Sequence, residues 1–156
     1  MTEELDTLVT DLHNLSHRLH SSKLQHLGVK FALNELCRRM SHAGLHVDLA
    51  LSDGLEPVPE EAGLCLLRIA QEALGNVLKH SGAKRAALTL AKTTDGYNLT
   101  IKDTGRGFDT EAFPTGIGLI SMRERIRSSQ GRLTIHSRPN QGTEIAVWIP
   151  PDAAVN

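Results

Sequence analysis

Between Ala86 and Ile149 the hydrophobic spacing runs at two residues, then at three and four, then at two again. Few folds accept that order, because alternation fits a half-buried strand and three-four spacing fits one face of a helix. Ala86–Ala91 and Asn98–Asp103 alternate on either side of the turn Thr94-Asp95-Gly96, which predicts two strands. Gly118–Ser129 has helical spacing and stops before Gly131, which reads as its C-cap. Arg132–Ser137 and Thr143–Ile149, joined by Arg138-Pro139-Asn140-Gln141-Gly142, predict a hairpin. Upstream, Val47, Leu49 and Leu51 alternate as another strand, and Pro57-Val58-Pro59-Glu60-Glu61 opens a helix carrying Leu67, Ala70, Leu74 and Val77. Sheet and helices in this order predict an α/β sandwich with helices on one face.

Residues 1–45 differ in character. Leu5, Leu8, Leu12, Leu15 and Leu19 make a helical stripe, and Ser21 or Ser22 caps a second helix from about Lys23 to Met40. The expected division is therefore 1–45 for the N-terminal helices, 46–150 for the sandwich and 151–156 for a tail. The chain has 156 residues, enough for one domain with a helical appendage. Seventeen basic residues against 18 acidic ones give no sign of a nucleic-acid partner. All apolar runs are short, so no membrane contact is expected, and no secretory signal opens the chain. Cys37 and Cys65 lie in helical patterns and read as buried thiols in a reducing, cytoplasmic setting.

Four groups of residues are candidates for chemistry. Glu72, Asn76, Lys79 and His80 fall on one stripe beside the apolar face of their helix. A carboxylate and an amide oxygen one turn apart suit a phosphate-bound Mg²⁺, and a lysine and histidine beyond them can reach phosphate oxygens. Taken alone, this stripe is more simply a solvated face. Asp103-Thr104-Gly105-Arg106-Gly107-Phe108 is more pointed. Asp103 shares the core-facing row of Leu99 and Ile101, where an unpaired carboxylate is costly and a ligand amino group would satisfy it. Thr115-Gly116-Ile117-Gly118-Leu119 leads into a helix and can offer backbone N–H groups to an anion. It lacks the third glycine of a dinucleotide fingerprint and the lysine of a P-loop. Gly142-Thr143 opens the last strand with a hydroxyl on the inward row of Ile145 and Val147.

In this order, Glu72-x-x-x-Asn76, Asp103-x-Gly105-x-Gly107-Phe108, Gly116-x-Gly118-Leu119 and Gly142-Thr143 resemble the N box and three glycine boxes of the GHKL ATPases, whose fold is the Bergerat sandwich. The stretches 68–80 and 118–126 look like those of sensor histidine kinases that pair with LuxR-type response regulators, and 15–29 resembles the end of their dimerisation helix with its linker. The family usually has proline where Ser21 or Ser22 stands. The resemblance implies a mixed, mostly antiparallel sheet preceded by N-terminal helices. It also implies ATP and Mg²⁺ as cofactors and phosphoryl transfer from ATP to a histidine. Asp103 then accepts from the adenine amino group with Thr143 in support, and Asn76 holds Mg²⁺ with help from Glu72, the catalytic candidate. Lys79 and His80 face the phosphates. Gly105, Gly107 and Phe108 shape the adenine end, Gly116, Gly118 and Leu119 the phosphate end, and residues 108–115 form a short lid. The implied partners are ATP or ADP, dimerisation helices of the same full-length kinase and a response-regulator receiver domain.

His13 sits in an acidic context like that of the family's phosphoacceptor, but the linker-like stretch follows too closely for a helical hairpin. The acceptor is therefore expected outside this chain, which would not autophosphorylate alone. His13, His17 and His20 share a helix face, read as surface or dimer interface before zinc site. Two other readings compete: a stand-alone GHKL ATPase or anti-sigma-type Ser/Thr kinase, and a degenerate regulatory module that only holds nucleotide.

Overall fold

The computed structural model describes residues 27–110 and 117–152. The Leu5–Leu19 stripe, the three N-terminal histidines and Gly116 lie outside the described residues. Helix α1 covers 27–42. It is followed by β1 His46–Leu51, α2 Glu60–Asn76 with a π turn at Val77–Ser81, β2 Arg85–Lys92 and β3 Tyr97–Asp103. Then come α3 Ile117–Ser128, β4 Arg132–Ser137 and β5 Thr143–Ile149. The five strands make one sheet in the order β1-β2-β3-β5-β4. Among the described residues, only the β1–β2 pair is parallel. This is the expected α/β sandwich, and strand ends differ from the sequence reading by no more than a residue.

Alternation decides which face is buried. Leu88 and Leu90, Leu99 and Ile101, and Ile145, Val147 and Ile149 are all buried on one side of the sheet. The intervening Thr89, Lys102 and Glu144 are exposed or half-exposed. Against the apolar face lie Leu66, Leu67, Ile69, Ala70 and Leu74 of α2, Met122 and Ile126 of α3, and Ala32, Leu33 and Leu36 of α1. Each buried Leu or Ile contributes on the order of 2 kcal/mol, which holds the helices on this face alone. Helix α1 and the sheet thus share one core. Pro59 precedes the first turn of α2 and Glu60 and Glu61 occupy it, where the helix dipole favours acid.

One cap differs from its sequence reading. At the end of α3 the left-handed residue is Gln130, with φ 58°, and not Gly131. The N–H of Gln130 donates to Arg127 O (3.1 Å) and that of Gly131 to Ile126 O (2.9 Å), a Schellman arrangement centred one residue earlier. Gly131 is small for another reason: a Cβ there would collide with the Trp148 carbonyl and with Ile149.

Candidate nucleotide site

Four segments meet at one end of the sheet: the end of α2, the loop after β3, the start of α3 and the β4–β5 turn. Register places Asp103 opposite Thr143, and Thr143 opposite Ser137, so three polar side chains stand in a row at the ends of apolar rows. Asp103 is 4% exposed. Its carboxylate accepts from the Gly105 N–H (2.8 Å). Burial pushes its pKa above the ordinary 3.8, opposed by the backbone N–H groups of Gly105 and Thr143. A cleft of about 650 Å³ opens beside Asp103, Ser137, Gly142 and Thr143, with Asp109, Thr110 and the outward-facing Lys102, His136 and Glu144 on its wall; Glu72, Asn76, Lys79, His80 and Gly118 do not line it. That volume lies in the range of small-molecule sites.

The loop after β3 is laced to both neighbours. The Arg106 N–H donates to Ser81 O (2.8 Å) at the end of the π turn, and the Asn140 N–H donates to Arg106 O (2.6 Å). Gly105 has to be small, since a Cβ would fall 2.6 Å from that of Ser81. Gly107 and Gly142 have φ of 58° and 74°, a region that costs any other residue strain, and each lies against backbone carbonyls. Phe108 is half-buried, and its N–H donates to Ser137 Oγ (2.9 Å).

Glu72 and Asn76 are half-buried one turn apart on α2. A Cβ on Gly118, the second residue of α3, would meet the carboxylate end of the Glu72 side chain, so α2 and α3 approach closely here. Leu119 is partly buried against the core. Lys79 and His80 are exposed, on the π turn. A π turn closes its hydrogen bonds one residue later than an α turn, which rotates both off the simple 3.6-residue line through Glu72 and Asn76. Ser81 closes this turn: its hydroxyl donates to Val77 O (2.7 Å) and accepts from the Ala83 N–H (2.9 Å).

The sequence reading missed Ser137, Ser81 and the Arg106 backbone. Ser137 had a usable signal, for it continues the core-facing row of Leu133 and Ile135 as Asp103 continues that of Leu99 and Ile101. The Ser81–Arg106 contact had none, because it joins backbone atoms of remote segments.

Residues 62–153 match the family of histidine kinase-, DNA gyrase B- and HSP90-like ATPases. The chain belongs to this ATPase family. Among curated relatives, the histidine-protein kinase/phosphatase DegS of Brevibacillus brevis is 32% identical over 144 residues, covering 91% of this chain and 37% of the relative. The nitrate/nitrite sensor NarX of Escherichia coli is 35% identical over 128 residues, covering 80% and 21%. The chain thus spans well under half the length of these relatives. Among solved structures, a blue-light activated histidine kinase of Erythrobacter litoralis superposes with a TM-score of 0.69 at 20% identity, covering 91% of this chain and 50% of the other. The histidine kinase AdeS of Acinetobacter baumannii gives 0.68 at 16%, covering 97% and 83%. At these identities the structural likeness is one of fold, and it matches the ATPase sandwich described above.

Proposed function

We propose that this chain is the ATP-binding catalytic domain of a two-component sensor histidine kinase. On this reading it transfers the γ-phosphoryl of ATP to a histidine on a dimerisation helix, from which a response-regulator aspartate receives it. The observation that carries the reading is the buried Asp103 carboxylate on the wall of a cleft at the sheet end, beside Thr143. An acceptor held in a desolvated wall discriminates strongly for a donor such as the adenine amino group. Family membership and kinase relatives favour ATP as the source of that group.

The residues fit the nucleotide and its metal. Asp103 accepts from the adenine amino group, and Thr143 supports it directly or through water. Gly105, Gly107 and Phe108 form the base end, and Gly116, Gly118 and Leu119 the phosphate end at the start of α3, where backbone N–H groups and the helix dipole favour anions. Asn76 holds Mg²⁺ through its amide oxygen, with Glu72 as second ligand or as the group that orients the nucleophile. When bound, Mg²⁺ would offset the charge of the phosphate groups. Lys79 and His80 are free to swing onto the phosphates. Catalysis is then positioning and charge stabilisation. Among the described residues no helix is long and apolar enough to cross a membrane. We place the domain in the cytoplasm on the strength of the ATP requirement.

Calorimetric titration with Mg-ADP tests the reading. The parent chain binds saturably, and Asp103→Asn, which turns an acceptor oxygen into a donor, weakens binding by about a hundredfold or more. No heat from a folded parent chain overturns the proposal. Binding without transfer, on adding an acceptor-bearing dimerisation segment, favours a purely regulatory nucleotide module.

A further inference from the structure

Ser137 is 9% exposed, and its hydroxyl has three neighbours. It accepts from the Phe108 N–H (2.9 Å), lies 3.1 Å from Gly142 O and lies 2.8 Å from Thr143 Oγ1. A hydroxyl has one proton and two lone pairs. The Phe108 N–H can only donate and the Gly142 carbonyl can only accept. All three contacts are satisfied at once in a single way: Ser137 donates to Gly142 O, and Thr143 donates to Ser137. If Ser137 instead donated to Thr143, the buried Gly142 carbonyl would lose that bond.

We propose that Ser137 is the positioning residue that sets base selectivity in this site, by drawing the Thr143 hydroxyl proton away from the cleft. Thr143 then shows the cleft only lone pairs, beside the Asp103 carboxylate, which is also an acceptor. Two adjacent acceptors match a 6-amino purine and repel a 6-oxo purine. Without Ser137 the Thr143 proton can rotate into the cleft and donate to an oxo group. The inference rests on the nucleotide-site reading above and adds a residue that does not itself touch the base. Ser137 also ties Phe108 to the β4–β5 turn, so loop order and base selectivity depend on one hydroxyl.

The test is the ratio of Mg-IDP to Mg-ADP dissociation constants, measured by calorimetry for the parent chain, Ser137→Ala, Thr143→Val and the double variant. The parent prefers ADP. Ser137→Ala lowers the ratio by about tenfold, the value of one hydrogen bond changing sense. Thr143→Val lowers it similarly, the double variant lowers it no further than either single one, and Thr143→Ser keeps the parent ratio. A merely structural role would weaken both nucleotides equally, and an unmoved ratio in Ser137→Ala overturns the inference alone. Should Ser137→Ala not fold, Thr143→Val reads the same polarity, and an unmoved ratio there overturns it too. Failure of the folded parent chain to bind ADP overturns the nucleotide site and this inference together.

Discussion

Asp103 is held under two opposed demands, and pH separates them. Its folded pKa is raised, chiefly by burial. A raised carboxylate pKa means that the charged form costs stability above the folded pKa, a cost relieved as pH falls through that value toward the unfolded one. Binding runs the other way, since protonation replaces an acceptor with a donor. Acidification is therefore expected to weaken ADP binding at a pH above the ordinary 3.8 while it removes Asp103's cost to stability. Parallel titrations of affinity and melting temperature check this, and Asp103→Asn should remove its share of the pH dependence of melting. Gly142 is the second residue on which the site turns. At φ 74°, with a Cβ directed at the Asp103 carbonyl, Gly142→Ala should cost about 2 kcal/mol or more in denaturant unfolding.

The two helix ends preceding β1 and β4 use one bonding pattern with different residues. At α1 the N–H groups of Gly44 and Leu45 donate to Ser41 O and Met40 O, and Gly44 supplies the positive φ of 102°. At α3 the same position is filled by Gln130, which bears strain a glycine would not. Gln130→Gly is expected to stabilise the protein by about 1 kcal/mol, whereas Gly131→Ala should destabilise it through the Trp148 carbonyl. Opposite signs at adjacent residues in thermal unfolding would establish the assignment. The π turn is the other element with a consequence for the site. It moves the Ser81 carbonyl to where the Arg106 N–H can reach it, which couples the end of α2 to the glycine turn.

At the scale of the molecule, α1 is part of the folded unit. Leu33 is fully buried in the cluster that holds α2 and the sheet. Leu33→Ala should therefore cost roughly 2–5 kcal/mol in a single cooperative transition. Loss of α1 structure with the main transition unmoved would show that the helix is only an appendage. Mg-ADP should raise the melting temperature of this variant, because ligand binding to the native state draws the equilibrium toward it.

Period and turn chemistry made most of this protein legible before any coordinates. The strands at 132–137 and 143–149, the helix through Leu74 and the inward-facing carboxylate at Asp103 follow from alternation, three-four spacing and the cost of burying charge. Those are local rules, so they act within a few residues. Three things are not local. Gly131 is small because the β5 backbone comes from elsewhere in the chain to fill the space, and Gly118 lies against a Glu72 side chain carried by another helix. Ser137 acquires its role only when β4 pairs with β5 and brings Phe108 across. The join between α2 and the glycine turn is made by a backbone carbonyl and a backbone N–H, groups that every residue carries and no sequence distinguishes. Their pairing is set by how the helices settle on the sheet, where packing over the whole core outweighs any single residue's preference.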